Sequence, residues 1–284
     1  QPDLVVTLMP HVWSPVLAPA VKRRSGAYVT IIHDARPHPG DRTSYLTRWL
    51  LCDGAFADTV VALSQAVAEE LGRKRILHGR RILRLFHPDV TLGSNPVVRQ
   101  LVPKRPLRLL FFGRIMPYKG LPLVIEAVEM LRKEGVNVAL GVAGDGDIAL
   151  LKDRLARLGV EVINRWVSEV EAGELLSRYD AMVCAHYEAS QSGVAALAFG
   201  NGMPVIATPI GGLAEQVIPG RTGVLAEEVT PRAFADAIRR LITIPGLYIS
   251  ISRYLSETRP ERSMERFVGE LISSARAREI AANH

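Results

Sequence analysis

Arg114 and Lys119 lie five residues apart in Phe111-Phe112-Gly113-Arg114-Ile115-Met116-Pro117-Tyr118-Lys119-Gly120, directly after an apolar run. Two cations on a loop leaving a buried strand can converge on one anion. Arginine offers a planar fork to phosphate oxygens and lysine a compact point charge. Gly113 would let the backbone approach that anion. The plainer alternative is ordinary surface charge, and the stretch is not a Walker-type phosphate loop, because GxxxxGK[ST] is absent. A second stretch, His186-Tyr187-Glu188-Ala189-Ser190-Gln191-Ser192-Gly193, runs into a helix of small apolar residues. Backbone N–H groups at a helix start, beside Ser190, Gln191 and Ser192, form an anion site. The Glu188 carboxylate there can accept hydrogen bonds from ligand hydroxyls. Equally, Ser190 or Ser192 can simply cap the helix while Glu188 favours its positive end. Between the two stretches, Gly144-Asp145-Gly146-Asp147 reads as a tight turn with Asp147 as N-cap.

The elements that must place these residues alternate along the chain. Apolar or β-branched runs at 4–8, 28–32, 59–63 and 81–85 read as strands, and patterns at 15–23, 45–52 and 65–71 as helices. From 87 to 106 periodicity disappears and prolines punctuate the chain, as in a linker. A second series follows, with strands at 107–112, 137–143, 161–163, 181–185 and 205–208. Its helices are expected at 121–134, 147–158, 170–177, 193–199 and 231–242. This alternation predicts an α/β protein of two consecutive doubly wound parallel-sheet units, with ligands beyond the C-terminal ends of the strands.

Composition narrows the class. The chain has 284 residues, 48% hydrophobic and 23% charged, which suits a globular protein and excludes a disordered one. Cys52 and Cys184 are far apart with no CxxC spacing, so neither a disulfide framework nor a structural zinc is suggested and a reducing cytoplasm is expected. The longest uncharged stretch, 189–214, is broken by Gly200, Gly202, Pro204 and Pro209, so no transmembrane helix is expected. Residues 1–105 hold 15 Lys/Arg against 8 Asp/Glu, leaving 20 against 21 in the remainder. The densest basic cluster, Arg73, Lys74, Arg75, Arg80, Arg81 and Arg84, is either a solvated helix end and loop or an attraction for anionic lipid headgroups or a phosphorylated acceptor. Sparse aromatic residues and the lack of a binding motif argue against nucleic acid.

An ordered set of short motifs is more specific than any member. It comprises Gly113-Arg114…Lys119-Gly120, Gly144-Asp145-Gly146, Trp166-Val167-Ser168, Tyr187-Glu188, Gly202-Met203-Pro204-Val205-Ile206-Ala207-Thr208, Gly211-Gly212…Glu215 and Gly220-Arg221-Thr222-Gly223. The set resembles the donor-binding half of family 4 glycosyltransferases, well over 107–242 and more loosely before it. The resemblance implies the GT-B fold, two Rossmann-like domains facing a cleft. Its parts would be an acceptor-side domain at 1–105 with linker 87–106, a nucleotide-sugar-binding domain at 107–245, and helices at 246–284 returning to the first domain. Because 2–9 resembles a later strand of that domain, the acceptor side is expected to be incomplete.

Residue by residue, Arg114 and Lys119 match the family's clamp on the donor diphosphate, with Gly113 beneath. Glu188 matches the first glutamate of its Glu-x7-Glu motif, which contacts the donor sugar. Ser190, Gln191, Ser192 and Gly193 form a polar turn at the donor, and Arg165, Trp166 and Val167 fall where the nucleotide base rests. His33, ending the strand at 28–32, matches the active-site histidine, and His38 is a weaker candidate. The second glutamate is replaced near Ala196 or Leu197, which leaves ribose recognition and the nucleotide open. The implied reaction is sugar transfer with retention from a nucleotide-diphosphate sugar to a saccharide or lipid-linked acceptor, in glycan or polysaccharide biosynthesis. No cofactor and no metal are expected, the two cations doing what a divalent metal does elsewhere. A cytoplasmic location, with peripheral contact to the inner membrane face, goes with a lipid-linked acceptor. The rival readings are a nucleotide-sugar-binding protein without turnover, half of a split enzyme, or a sugar-nucleotide 2-epimerase, whose acid/base residues are not evident.

Overall fold

The computed structural model describes residues 1–37, 44–92 and 98–282. The first series of elements is β1 (Leu4–Thr7), α1 (Ser14–Arg24), β2 (Ala27–Ile32), α2 (Ser44–Gly54), β3 (Thr59–Ala62), α3 (Gln65–Gly72) and β4 (Arg81–Arg84). The strands are parallel and lie in the order β1-β2-β3-β4, so this sheet advances in one direction. Strand alternation splits its core in two. Tyr28, Ile32, Val60 and Ala62 face Ala18 of α1, Leu51 of α2 and Val67 and Leu71 of α3. Val29, Ile31 and Val61 face Phe267, Leu271 and Ala275 of the final helix, Met264–Ala282. A sheet covered on both sides buries both residue parities, which is why β2 reads as an unbroken apolar run.

The basic cluster is largely absorbed by the protein. Lys74 pairs with Glu70 at 2.8 Å and Arg73 with Glu69 at 3.8 Å. Arg80 donates to the Ala57 carbonyl at 3.3 Å and Arg81 to that of Ser274 at 2.9 Å. Arg36 also reaches Glu70, at 2.5 Å. Hydrogen bonds from Arg36 and then Lys74 hold the Glu70 carboxyl down to about 2. A depressed carboxylate adds stability above its unfolded pKa and loses it as pH falls through the folded one. Glu70→Gln is therefore expected to flatten the fall of the melting temperature between about pH 4.5 and 2, measured by circular dichroism.

The second series is β5 (Leu107–Phe112), α4 (Leu121–Lys133), β6 (Val138–Ala143), α5 (Lys152–Arg157), β7 (Glu161–Ile163), α6 (Glu169–Arg178) and β8 (Ala181–Cys184). It continues with α7 (Gly193–Gly200), β9 (Val205–Ala207), α8 (Gly211–Gln216), β10 (Gly223–Leu225), α9 (Pro231–Thr243) and α10 (Leu247–Glu257), and α11 is the final helix. The six parallel strands lie in the order β10-β9-β8-β5-β6-β7. The chain thus builds outward from β5 to β7, returns beside β5 as β8, and builds outward the other way. Leu109, Leu110, Met182 and Ile206 are fully buried along the central strands.

Two boundaries differ from the sequence expectation. The chain separates into Gln1–Pro88 with Arg262–His284, and Asp89–Glu261, so the division falls near 88 rather than 105. Beyond Pro88, residues of the expected linker are bonded to the second unit. Asn201 donates to the Val90 carbonyl at 3.1 Å, and Arg99 donates to the carbonyls of Asn201 and Tyr179 at 3.1 and 2.9 Å. Side chains satisfy this backbone, so it needs no periodic pattern to be ordered. The expected C-terminal block 246–284 also divides. α10 stays with the second unit, where Tyr248 donates to the Asp180 carbonyl and Ser252 to that of Gly202, both at 2.9 Å, while α11 covers the first sheet. The helix expected at 147–158 begins as a 3-10 turn, Ala149–Leu151, because Asp147 Oδ1 accepts the Ala149 N–H at 2.8 Å.

Candidate functional site

β5 and β8 are neighbours, so residues 113–120 and 185–193 leave the same sheet edge side by side at the strand-order reversal. Connections at such a reversal run to opposite faces and part, opening the crevice in which doubly wound sheets bind ligands. Here the two loops are stitched together. The Tyr187 N–H donates to the Tyr118 carbonyl at 2.7 Å, and Thr208 Oγ1 donates to the His186 carbonyl at 2.6 Å. The Ile115 N–H donates to the Asp145 carbonyl at 2.7 Å, tying in the turn after β6.

Gly113 has φ +88, and a Cβ there would lie 3.4 Å from Lys119 Nζ and 3.2 Å from Val194 Cγ2. The ammonium is thus held over bare backbone, beside the first turn of α7. Gly120 has φ +69, and its Cβ would fall 1.9 Å from the Ala185 carbonyl oxygen. Only glycine lets the 3-10 turn Pro117–Lys119 close this tightly on the end of β8. Burial pushes the Lys119 ammonium below the ordinary lysine range, opposed by Cys184 and reinforced by the Arg114 charge. Burial pushes the Cys184 thiol up to about 12, against the opposing Lys119 charge and a hydrogen bond with Ser192. Among the described residues, neither Arg114 nor Lys119 has a carboxylate partner, and exposed Glu188 has no cationic one. Uncompensated charge of this kind marks functional crevices, because a ligand is what completes it.

Ser192 differs from its expected role. It is buried, its Oγ accepts the Ala195 N–H at 3.2 Å, its N–H donates to Gln216 Oε1 at 2.7 Å, and Gln216 Nε2 donates back to its carbonyl at 3.3 Å. The serine caps α7, and the helix offers backbone instead. The N–H groups of Gly193 and Val194 have no acceptor among the described residues, and Gly193 is exposed. Ser190 and Gln191 are half-buried in the loop ahead of it. No sequence signal marked Gln216, which fixes the turn from 24 residues away.

Residues 106–243 match the family model of glycosyl transferases group 1. The second unit belongs to that family. Curated relatives include a D-inositol 3-phosphate glycosyltransferase of a Nocardioides species, 31% identical over 213 residues, 66% of this chain and 46% of that protein. The glycogen synthase of Mycobacterium tuberculosis is 35% identical over 233 residues, 77% of this chain and 55% of that protein. The chain therefore spans about half the length of the curated relatives it matches. Among solved structures, Anabaena HepE in complex with UDP aligns with a TM-score of 0.71 and 20% identity over 96% of this chain and 79% of that one. The fold is GT-B.

Within the glycosyl transferase unit, Arg165 is committed to Glu171, at 2.5 Å, and Glu171 also closes a capping box with Ser168 at the start of α6. Its guanidinium therefore braces the loop, which leaves Trp166 79% exposed and Val167 packed on the core. α7 carries no carboxylate where the second family glutamate would fall: Ala196 and Leu197 are both buried. The sequence does hold an Asp-x-Asp spacing, Asp145-Gly146-Asp147, which sequence reading treated only as a turn. Asp147 caps the 3-10 turn, and among the described residues no three Asp, Glu, His or Cys side chains cluster to hold a metal.

In the first unit, His33 is half-buried at the end of β2, and its Nε2–H donates to the Leu8 carbonyl at 3.0 Å. His87, which sequence reading did not single out, donates Nδ1–H to the Pro88 carbonyl at 2.9 Å. Burial lowers the His87 pKa, the hydrogen bond to Pro88 opposes this, and the neighbouring His33 lowers it further. His38 lies outside the described residues. No helix among the described residues is long and apolar enough to cross a membrane.

Proposed function

We propose that the chain transfers a sugar, with retention, from a nucleoside-diphosphate donor to a hydroxyl of a saccharide or lipid-linked acceptor. The observation that carries this reading is the pair of uncompensated cations, Arg114 and Lys119, at the strand-order reversal beside the open N–H groups of α7. The departing diphosphate gains negative charge as the glycosidic bond breaks. Fixed cations and backbone dipoles stabilise it without having to reorganise. Glu188 accepts hydrogen bonds from the donor sugar, Trp166 and Val167 border the base, and His33 serves the acceptor side. No metal takes part. UDP is the first nucleotide to test, because Anabaena HepE was crystallised with UDP and with UDP-glucose.

The test is UDP release from UDP-sugars across a panel of saccharide and lipid-linked acceptors, with and without EDTA. Acceptor-dependent UDP release unaffected by EDTA is expected. Glu188→Ala should lower kcat/KM about 100-fold while leaving the affinity for UDP itself within about twofold, because UDP lacks the transferred sugar, whose hydroxyls the carboxylate would hold. Failure of the unaltered protein to bind any nucleoside diphosphate would sink the reading. Binding without release for every acceptor would favour a donor-binding protein.

A further inference from the structure

The Gln216 side chain spans the main chain of Ser192. Its Oε1 accepts the Ser192 N–H at 2.7 Å, and its Nε2 donates to the Ser192 carbonyl at 3.3 Å. A side-chain amide offers a donor and an acceptor together without charge, so it pairs with one residue's backbone as a neighbouring strand would. The Gln216 backbone is anchored in turn. Buried Thr222 donates Oγ1–H to the Gln216 carbonyl at 3.0 Å and accepts the Ile218 N–H at 2.7 Å. The other end of α8 holds the start of the same loop. The Gly212 N–H donates to the Ala189 carbonyl at 3.1 Å, and a Cβ on Gly211 would lie 2.2 Å from that oxygen. Gly212 and Gln216 are four residues apart, on one face of α8. That face fastens the loop at Ala189 and again at Ser192, and Ser190 and Gln191 span the interval.

The fastening at Ser192 sets the residue after it. The Ser192 hydroxyl caps α7 through the Ala195 N–H and shares a hydrogen bond with the Cys184 thiol. The Ser192 carbonyl uses both lone pairs, on the Ala196 N–H at 3.1 Å and on Gln216. A planar trans peptide points its C=O and N–H in opposite directions. The peptide joining Ser192 to Gly193 is therefore pinned at its carbonyl end, and the Gly193 N–H is aimed away from Gln216. Donation to the carbonyl also polarises this peptide and makes its N–H a stronger donor. That N–H has no acceptor among the described residues. A Cβ on Gly113 would touch both Val194 Cγ2, at 3.2 Å, and Lys119 Nζ, at 3.4 Å, so the first turn of α7 and the ammonium border one space.

We propose that Gln216 is a positioning residue for the donor diphosphate. α8 splints the loop 189–192, and the Gln216 amide sets the Ser192–Gly193 peptide so that the Gly193 N–H meets a phosphate oxygen. The inference rests on the sugar-transfer reading and deepens it, adding a residue that itself touches no part of the donor.

The full chain is titrated with UDP by calorimetry and with uridine by ligand-detected nuclear magnetic resonance. The proteins compared are the unaltered chain, Gln216→Met, Gln216→Asn and Lys119→Ala. Gln216→Met removes both bonds to Ser192. Gln216→Asn keeps an amide on a stem one methylene shorter, which cannot make both from the same backbone position, and it carries the test if Gln216→Met does not fold. Both are neutral, so neither repels a phosphate, and circular dichroism checks that each is folded. UDP affinity is expected to fall about tenfold in both, with uridine affinity within about twofold of the unaltered protein, because uridine has no phosphate for the Gly193 N–H to meet. Unchanged UDP affinity in the folded variants, with Lys119→Ala still weakening it, would overturn the inference and leave the donor site standing. Equal losses for UDP and uridine would also overturn it, because the amide would then hold the loop as a whole rather than aim one donor at phosphate. If the unaltered protein binds no UDP, the donor-site reading fails and this inference with it.

Discussion

Arg114→Ala and Lys119→Ala are each expected to weaken UDP binding by about 10- to 100-fold, since a hydrogen bond between a charged group and its partner contributes roughly 1.5–3 kcal/mol. Isothermal titration calorimetry measures this directly, and unchanged affinity in both variants would remove the donor-site assignment. Lys119 should give the larger loss, because its ammonium is the more buried of the two and its attraction for phosphate is less screened. The same burial makes a second, opposite effect. An unpaired half-buried ammonium beside Arg114 costs stability in the free protein, so Lys119→Met is expected to raise the melting temperature by a few degrees, about 1 kcal/mol, while binding is lost. The sign with pH follows from the lowered lysine pKa. The folded protein carries the penalty at neutral pH and sheds it as pH rises through the lowered pKa. The advantage of Lys119→Met should therefore shrink toward pH 10. UDP binding to the unaltered protein should weaken over the same range, as the lysine loses its charge. A buried lysine with no part in binding would show the first trend but not the second.

Gly120→Ala is expected to destabilise the second unit by roughly 3 kcal/mol, combining left-handed backbone strain with an overlap that no rotamer can relieve. The added Cβ would sit 1.9 Å from the Ala185 carbonyl oxygen, a backbone atom directly after β8, at the crevice. Either the 3-10 turn moves away, carrying Lys119 from its place over Gly113, or β8 shifts. UDP affinity should fall with stability although both cations remain. Gly135→Ala is the control, with φ +77 and nothing within 4 Å of its added Cβ. It should cost about 1 kcal/mol and leave UDP binding unchanged. Equal losses in the two variants would mean that the turn's contact with β8 does not position the lysine.

Together these variants separate charge from placement. Lys119→Met removes the charge from an intact turn, and Gly120→Ala keeps the charge in a displaced one. The site stores uncompensated charge at a cost to the free protein, which is the pattern expected when a ligand supplies the missing counter-charge.

Much of the second unit was legible in the sequence because its strands are short apolar runs punctuated by glycine. The strand 107–112 and the short strand 161–163 were read to the residue, and α4, α6, α7 and α9 within a residue or so at each end. Gly113, Arg114, Lys119 and Glu188 were singled out by residue type and position after a strand, and the fold places them on the neighbouring loops that leave β5 and β8. α8 and β10 were not read: α8 opens on Gly211-Gly212 and is six residues long, too short for a helical period, and β10 begins on Gly223 within a glycine-rich turn sequence.

What the tertiary structure alone decided were the matters of partner. The sequence shows that Ser192 precedes a helix, but only the fold brings Gln216 to its backbone and turns its hydroxyl into a cap. It shows Arg165 beside Trp166, and the structure spends that arginine on Glu171. It shows six basic residues at 73–84, and the structure satisfies most of them internally. It places no division between α10 and α11, which depends on which buried face each helix covers. Residue type and local spacing determine what a side chain can do. Which of those capacities the folded protein consumes depends on groups distant in the chain, and for Arg114, Lys119 and Glu188 the fold left them unspent.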